Sequence, residues 1–225
     1  MKYHSVFEII GPIMVGPSSS HTAGAVRIGR LARALFGRLP RTLDVQFFGS
    51  FAETYQGHGT DVAVVAGVLG LETGDPLIPE SMRLAQEQGL AVRIVCASET
   101  PGHPNTARLI LADADESMVL TGVSIGGGHA RITEWNGFEL NLTGEAPTIL
   151  IQHLDIYGTI TAVTDVIAEH RINIARMTVD RQEKGRQALM VIETDQLIGP
   201  EAVSAISRLP HILRVMQVQG PVAAS

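Results

Sequence analysis

The chain has 225 residues, 45% of them hydrophobic and 18% charged, which is room for one large domain or two ordinary ones, each burying its own core. A formal net charge of -6 and an aromatic content of 4% exclude the basic surface and the stacking platforms that nucleic acid or an anionic membrane surface would require. Cys96 is the single cysteine, so neither an internal disulfide nor a cluster held by four thiolates of this chain is possible. The two lysines, Lys2 at the chain start and Lys184 in the turn-like QEKG, leave no candidate for a Schiff base, which excludes pyridoxal phosphate.

Residues 1–15 predict a short strand or helix feeding a turn at Gly16-Pro17. Glu8 and Pro12 interrupt the opening apolar stretch and no small-residue cleavage site follows, so it reads as mature structure and not as a signal peptide. The longest uncharged apolar run, Val62 to Leu71, is too short to span a bilayer, and a soluble cytoplasmic protein is expected.

GPSSSHT, from Gly16 to Thr22, stands immediately before apolar residues at helical spacing, Ile28, Leu31, Ala32 and Leu35. The polar run is therefore expected at the N-terminus of a helix from about Thr22 to Phe36 that Gly37 ends. First-turn N–H groups, a positive dipole end and several hydroxyls suit an anion such as a carboxylate or phosphate, and His21 adds a group that titrates near neutrality. One cap needs only one hydroxyl; a consecutive Ser18, Ser19, Ser20, His21 and Thr22 exceed that need.

Leu43, Val45 and Phe47 alternate with polar residues and predict a half-buried strand. The glycine-rich polar stretch Gly49 to Asp61 reads as a loop leading into a buried helix from Val62. Two arrangements remain open there: His58 beside a second helix N-terminus brought to the same place as the first, or Thr60 or Asp61 as a plain cap with His58 on the surface. Gly57-His58-Gly59 fails the dinucleotide fingerprint because Val62 stands where a third glycine or alanine belongs. Residues 80–88 read as helix and LAVRIVC as a strand with Cys96 as a buried, inert thiol. Prolines bracket His103 in an extended loop before a strand at Thr106 to Leu111. Two strands bent at Gly126, Gly127 and Gly128 follow, then a hairpin at Asn136-Gly137 into FELNL.

Thr143 to Pro147 reads as a linker, after which the order is strand, helix, strand, strand, helix, strand. TILIQHL, a helix from Thr159 to His170, INIARMTVDR, QALMVIET, a helix from Pro200 to Arg208 and HILRVMQVQ give the split βαβ, ferredoxin-like arrangement.

HLDIYGTITAVTDVIAEHRINIARM, with Asp155 and Gly158 before the helix, Asn173 after it and the later VIETD, resembles an ACT domain over residues 147–219. Members of that family commonly carry proline before the glycine, where this chain has Tyr157. The resemblance implies an amino-acid effector site at Asp155, Gly158 and Asn173, with dimerisation or subunit docking as the other use of such a module. GPSSSHTAG, GSFAETYQGHGTD, His103-Pro104-Asn105 and SIGGG at Ser124 to Gly128 resemble, in order, the beta subunit of iron-sulfur-dependent L-serine dehydratase. The fold that this implies is α+β: an allosteric-substrate-binding-like serine dehydratase beta domain over residues 1–143, followed by the ferredoxin-like βαββαβ ACT domain.

The same resemblance implies a 4Fe-4S cluster with its ligands mainly on a partner alpha subunit and none on this chain. It further implies L-serine as substrate and dimerisation through the beta or ACT domain. On it, His21 is expected as general acid or base with Ser20 beside it. Ser18, Ser19, Thr22, His58, Gly59, Thr60, His103 and Asn105 are expected to bind substrate. The rival expectation is a non-catalytic amino-acid sensor, since the beta fold also resembles a regulatory domain of some phosphoglycerate dehydrogenases. A stand-alone hydrolase built on Ser20 and His21 lacks the G-x-S-x-G elbow.

Overall fold

The computed structural model describes residues 13–99 and 102–220, so most of the element expected over residues 1–15 lies outside the described residues. The chain divides into two compact units, one of residues 1–136 with 140–143, the other of 137–139 with 144–225.

The first unit is a mixed sheet with helices on it. A single π turn, Ser19–Ala23, runs straight into α1, Gly24–Phe36, so the helical run starts three residues before the expected Thr22. Gly37 ends α1 in the left-handed conformation, φ 85°, as its sequence predicts. Strand β1 covers Thr42–Phe48 and buries Leu43, Val45 and Phe47. Next come α2, Gly49–His58, and α3, Thr60–Leu69. A 3-10 turn, Ile78–Glu80, leads to α4, Ser81–Glu87, and then β2, Ala91–Cys96. The remaining strands are β3, Thr106–Ala112, β4, Ser117–Gly126, β5, His129–Trp135, and β6, Phe138–Leu142.

The sheet order is β2-β1-β3-β4-β5-β6, with β1 parallel to β2 and β3 and β4 running antiparallel to their neighbours. Helix α1 lies on β3, β4 and β5, and α3 packs along α1. Gly29 of α1 and Gly67 of α3 face each other so closely that a Cβ on either would overlap the other helix's backbone. The apolar row Ile28, Leu31 and Leu35 is buried on this face, as are Leu109, Leu120 and Ile132 of the strands that α1 covers.

Two expectations are corrected here. Gly49 to His58 is helix α2 and not a loop: Phe51 is fully buried and its ring meets Phe47 edge-on at 5.8 Å, so tertiary packing carries a segment of low helical propensity. Cys96 is exposed and not buried, because β2 is the edge strand of the sheet. Its thiol donates to the Ala52 carbonyl at 3.6 Å.

The second unit follows the expected order. β7, Thr148–Leu154, α5, Thr159–Glu169, β8, Ile174–Arg181, β9, Gln187–Thr194, α6, Pro200–Ser207, and β10, Ile212–Val218, form a sheet of order β10-β7-β9-β8. Ile149 and Ile151 of β7, Met190 and Ile192 of β9, Val163 and Ile167 of α5 and Ala202 and Ile206 of α6 make one core. No helix among the described residues is long and apolar enough to cross a membrane.

Candidate active site

Ser18 caps the helical run that begins at Ser19: its Oγ accepts the His21 N–H at 3.1 Å, while its carbonyl accepts the Thr22 N–H at 2.8 Å. The N–H groups of Ser19 and Ser20 are left at the head of the helix, where no intrahelical acceptor exists for them. The cap also fixes the His21 ring, since Ser18 Oγ lies 3.3 Å from Nδ1. On the other side of the ring, Ser50 Oγ lies 3.0 Å from Nε2. Thus the ring nitrogens of His21 meet Ser18 and Ser50, and not the neighbouring Ser20.

Helix α2 brings three residues to this ring. Ser50 is in its first turn, Phe51 meets the His21 ring edge-on at 5.3 Å, and His58, its last residue, lies 4.7 Å away at a 37° tilt. His58 therefore ends α2 and, with only Gly59 between, stands just before α3; neither Thr60 nor Asp61 caps α3, whose N-cap is Gly59 in the left-handed conformation, φ 64°. The sharp corner at Gly59 turns the His58 carbonyl toward the first motif, where it accepts the Thr22 hydroxyl at 3.1 Å. Both motifs are thereby locked together across a chain separation of 36 residues.

Two further stretches close on the same place. In the loop before β3, the Asn105 N–H donates to His103 Nδ1 at 3.2 Å, and the Pro104 backbone packs where a Cβ on Gly49 would stand, beside Ser50. The Asn105 carbonyl accepts the Ser124 N–H at 2.9 Å, and the buried Ser124 hydroxyl fills the space that a side chain on Gly24 would take. Gly126, Gly127 and Gly128 all have positive φ and turn β4 into β5, at whose start His129 Nδ1 lies 3.3 Å from Arg27 Nη1. Among the described residues, His58 Nδ1, Thr60 Oγ1 and Ser124 Oγ are buried without a hydrogen-bond partner. These are polar atoms that a bound molecule or a partner surface would satisfy.

Burial, and second the nearby His58, hold the His21 imidazole below its ordinary value of 6.5. The folded chain then binds this proton less readily than the unfolded one. Stability is full above 6.5 and falls as pH drops through 6.5 toward the lower folded value. Thermal melts between about pH 8 and about pH 5 should show that loss, and His21→Asn, with no ring to titrate, should show a shallower slope. Equal slopes would remove the assignment.

The second-unit candidates do not converge within one chain. The Asp155 carboxylate accepts the Gly185 N–H at 3.0 Å and Arg181 Nη1 at 3.2 Å, which hold it below the ordinary carboxylate range; Gly158 starts α5 with φ 84°. Asn173 donates to Asp195 Oδ2 at 2.6 Å. By register, Asp155 follows the Leu154↔Gln187 end of the sheet and Asn173 precedes the Ile174↔Thr194 end, roughly 23 Å along β8 at ~3.3 Å per residue.

Sequence reasoning missed Ser50, Phe51 and Ser124. The signals available were their places in the motifs GSFAETYQGHGTD and SIGGG and, for Ser50, a serine following glycine at the end of a strand, a position where helices begin. Among the described residues no group of three or more His, Cys, Asp or Glu side chains is placed to hold a metal ion, and the one cysteine sits on the sheet edge. A single thiolate falls short of the four that an iron-sulfur cluster usually takes.

The family model for the serine dehydratase beta chain matches residues 5–91, and that for the ACT domain residues 148–211. A probable L-serine dehydratase beta chain from Bacillus subtilis (strain 168) is 50% identical over 218 residues, 97% of this chain and 99% of that one. The L-serine dehydratase beta chain of Peptoniphilus asaccharolyticus is 35% identical over 92% of this chain and 94% of that one. A D-3-phosphoglycerate dehydrogenase of Bacillus subtilis (strain 168) is 28% identical over 61% of this chain and 26% of its own length. This chain belongs to the L-serine dehydratase beta-chain family.

Proposed function

We propose that this chain is the beta subunit of a two-chain L-serine dehydratase, converting L-serine to pyruvate and ammonia, and that its His21 region closes the reaction pocket of an alpha subunit carrying a 4Fe-4S cluster. The observation that carries this reading is the meeting of two polar motifs, distant in sequence, around one imidazole at a helix head, in a chain whose near-full-length relatives are dehydratase beta chains. The cluster, when bound on the partner, supplies a Lewis acid for substrate oxygens.

This chain's residues have two tasks. The N–H groups and hydroxyls of Ser19 and Ser20 receive the substrate carboxylate at the positive end of the helix, while Ser18 and Thr22 hold the frame through the cap and the His58 carbonyl. His21, whose charged form is disfavoured by burial and by His58 beside it, takes the α-proton and readily gives it up again. His103, Asn105, Gly59 and Thr60 shape the wall behind them.

The pure sensor is the second reading, and it finds support only in the partial likeness to a dehydrogenase. Anaerobic co-expression with the cysteine-rich partner, followed by assay of pyruvate from L-serine, separates the two. Pyruvate and ammonia in equal amounts are expected; an assembled complex with no turnover on L-serine would overturn the enzyme reading.

A further inference from the structure

We propose that Ser50, a residue outside the sequence-level candidates, is the hydroxyl through which His21 exchanges its proton with the substrate. This rests on the reading of His21 as the acid-base residue and adds the route by which it acts.

The His21 ring offers a substrate no uncovered nitrogen. Nδ1 faces Ser18 Oγ, which also accepts the His21 N–H at 3.1 Å and so cannot leave without uncapping the helix. Nε2 faces Ser50 Oγ at 3.0 Å, the shorter of the two ring contacts. Phe51 and His58 flank the ring at 5.3 and 4.7 Å. The approach to Nε2 therefore runs past Ser50, a partly buried residue.

Ser50 is held firmly enough for that task. Its carbonyl accepts the Thr54 hydroxyl at 2.7 Å within α2, and Gly49 before it takes φ 53° with the Pro104 backbone against it. A hydroxyl seated in a helix's first turn keeps its direction better than one on a loop.

The hydrogen bonds close in one arrangement suited to a base. The Nδ1–H donates to Ser18 Oγ, and the Nε2 lone pair accepts the Ser50 O–H. As Ser50 Oγ takes the proton from the substrate α-carbon, its own proton passes to Nε2, and the bonding pair of the broken C–H bond stays on the substrate carbon. Ser50 is again a hydroxyl, and the ring is an imidazolium whose two N–H groups donate to two serine oxygens. The reverse transfer returns the proton, helped by the burial and the neighbouring imidazole that disfavour a charged ring.

The test uses the enzyme assembled with its alpha partner and the Ser50→Ala and Ser50→Thr variants. S50A should lower kcat about 100-fold with KM within about threefold, while S50T keeps most of the turnover. In mixtures of H2O and D2O, the wild type and S50T should show a curved proton inventory from two protons in flight, and S50A a straight one. Independently of turnover, 15N spectra of the full histidine-labelled chain, with His21 assigned from the H21N spectrum, should show the neutral ring protonated at Nδ1. A kcat for S50A within about threefold of wild type, S50T as inactive as S50A, or a neutral ring protonated at Nε2 would each overturn the relay. Loss of turnover in His21→Ala with S50A unaffected would remove the relay alone, whereas full turnover in H21A would remove the underlying reading of the site.

Discussion

Replacing His21 with alanine is expected to lower the turnover of the assembled enzyme by about 10²- to 10⁴-fold, the range of a lost acid-base group, with assembly intact. The separation of effects follows from the ring's surroundings. His21 contacts Ser18, Ser50, Phe51 and His58 at the head of the helix, whereas the core of the unit lies along Ile28, Leu31 and Leu35, further down α1. Deleting the ring removes chemistry without opening that core. Steady-state kinetics on L-serine, with the complex checked by size-exclusion chromatography, measure both halves of the expectation. A variant that assembles and turns over at wild-type speed would leave His21 with a structural role only.

The largest effect on stability is expected where α1 and α3 touch. A Cβ on Gly67 would overlap the Val26 carbonyl oxygen, and one on Gly29 the Val64 carbonyl oxygen. These obstacles are helix backbone, which cannot swing aside as a side chain can, so the two helices must separate. Gly67→Ala should destabilise the first unit by about 3 kcal/mol, the upper part of the ordinary overpacking range. That corresponds to a fall of about 10 °C in its melting temperature. Gly57→Ala provides the contrast: it lies within α2, and a methyl group there would meet nothing within 4 Å, so the better helix former should be neutral or slightly stabilising. Calorimetric scans of G67A and G57A that coincide would show that the close approach of the helices is not a constraint. Because α1 carries the serine run at its head and α3 begins just after His58, the same contact also sets the distance between the two motifs.

What could be read from the sequence divides along a physical line. Helix α1 was legible because its apolar residues recur at helical spacing and a glycine ends it, and β1 because Leu43, Val45 and Phe47 alternate. The second unit was legible for the same reason, with the two periodicities following one another in ferredoxin-like order. Helix α2 was not. It buries one residue, Phe51, and contains glycine near both ends, so its local signal is that of a loop and its stability comes from the packing of that one ring. Cys96 was misplaced because an apolar strand reads alike at the centre and at the edge of a sheet.

The site shows the same division. The serine run and His21 stand out locally, as an excess over what capping requires. Ser50 does not, because its meaning lies in a contact with a residue 29 positions away. Thr60 was an expected substrate-binding residue and Ser124 opens the SIGGG motif, but that burial leaves both hydroxyls without partners is visible only in the fold.

The most direct measurement is a titration of this chain into a fixed amount of the alpha partner, with pyruvate formation from L-serine as the readout. The rate should rise from near zero to a plateau at a fixed ratio of the two chains, and H21A chain added in excess should compete with the wild type and pull the rate back down. Full-speed deamination by the partner alone, or a rate that H21A restores as well as the wild type does, would contradict the account.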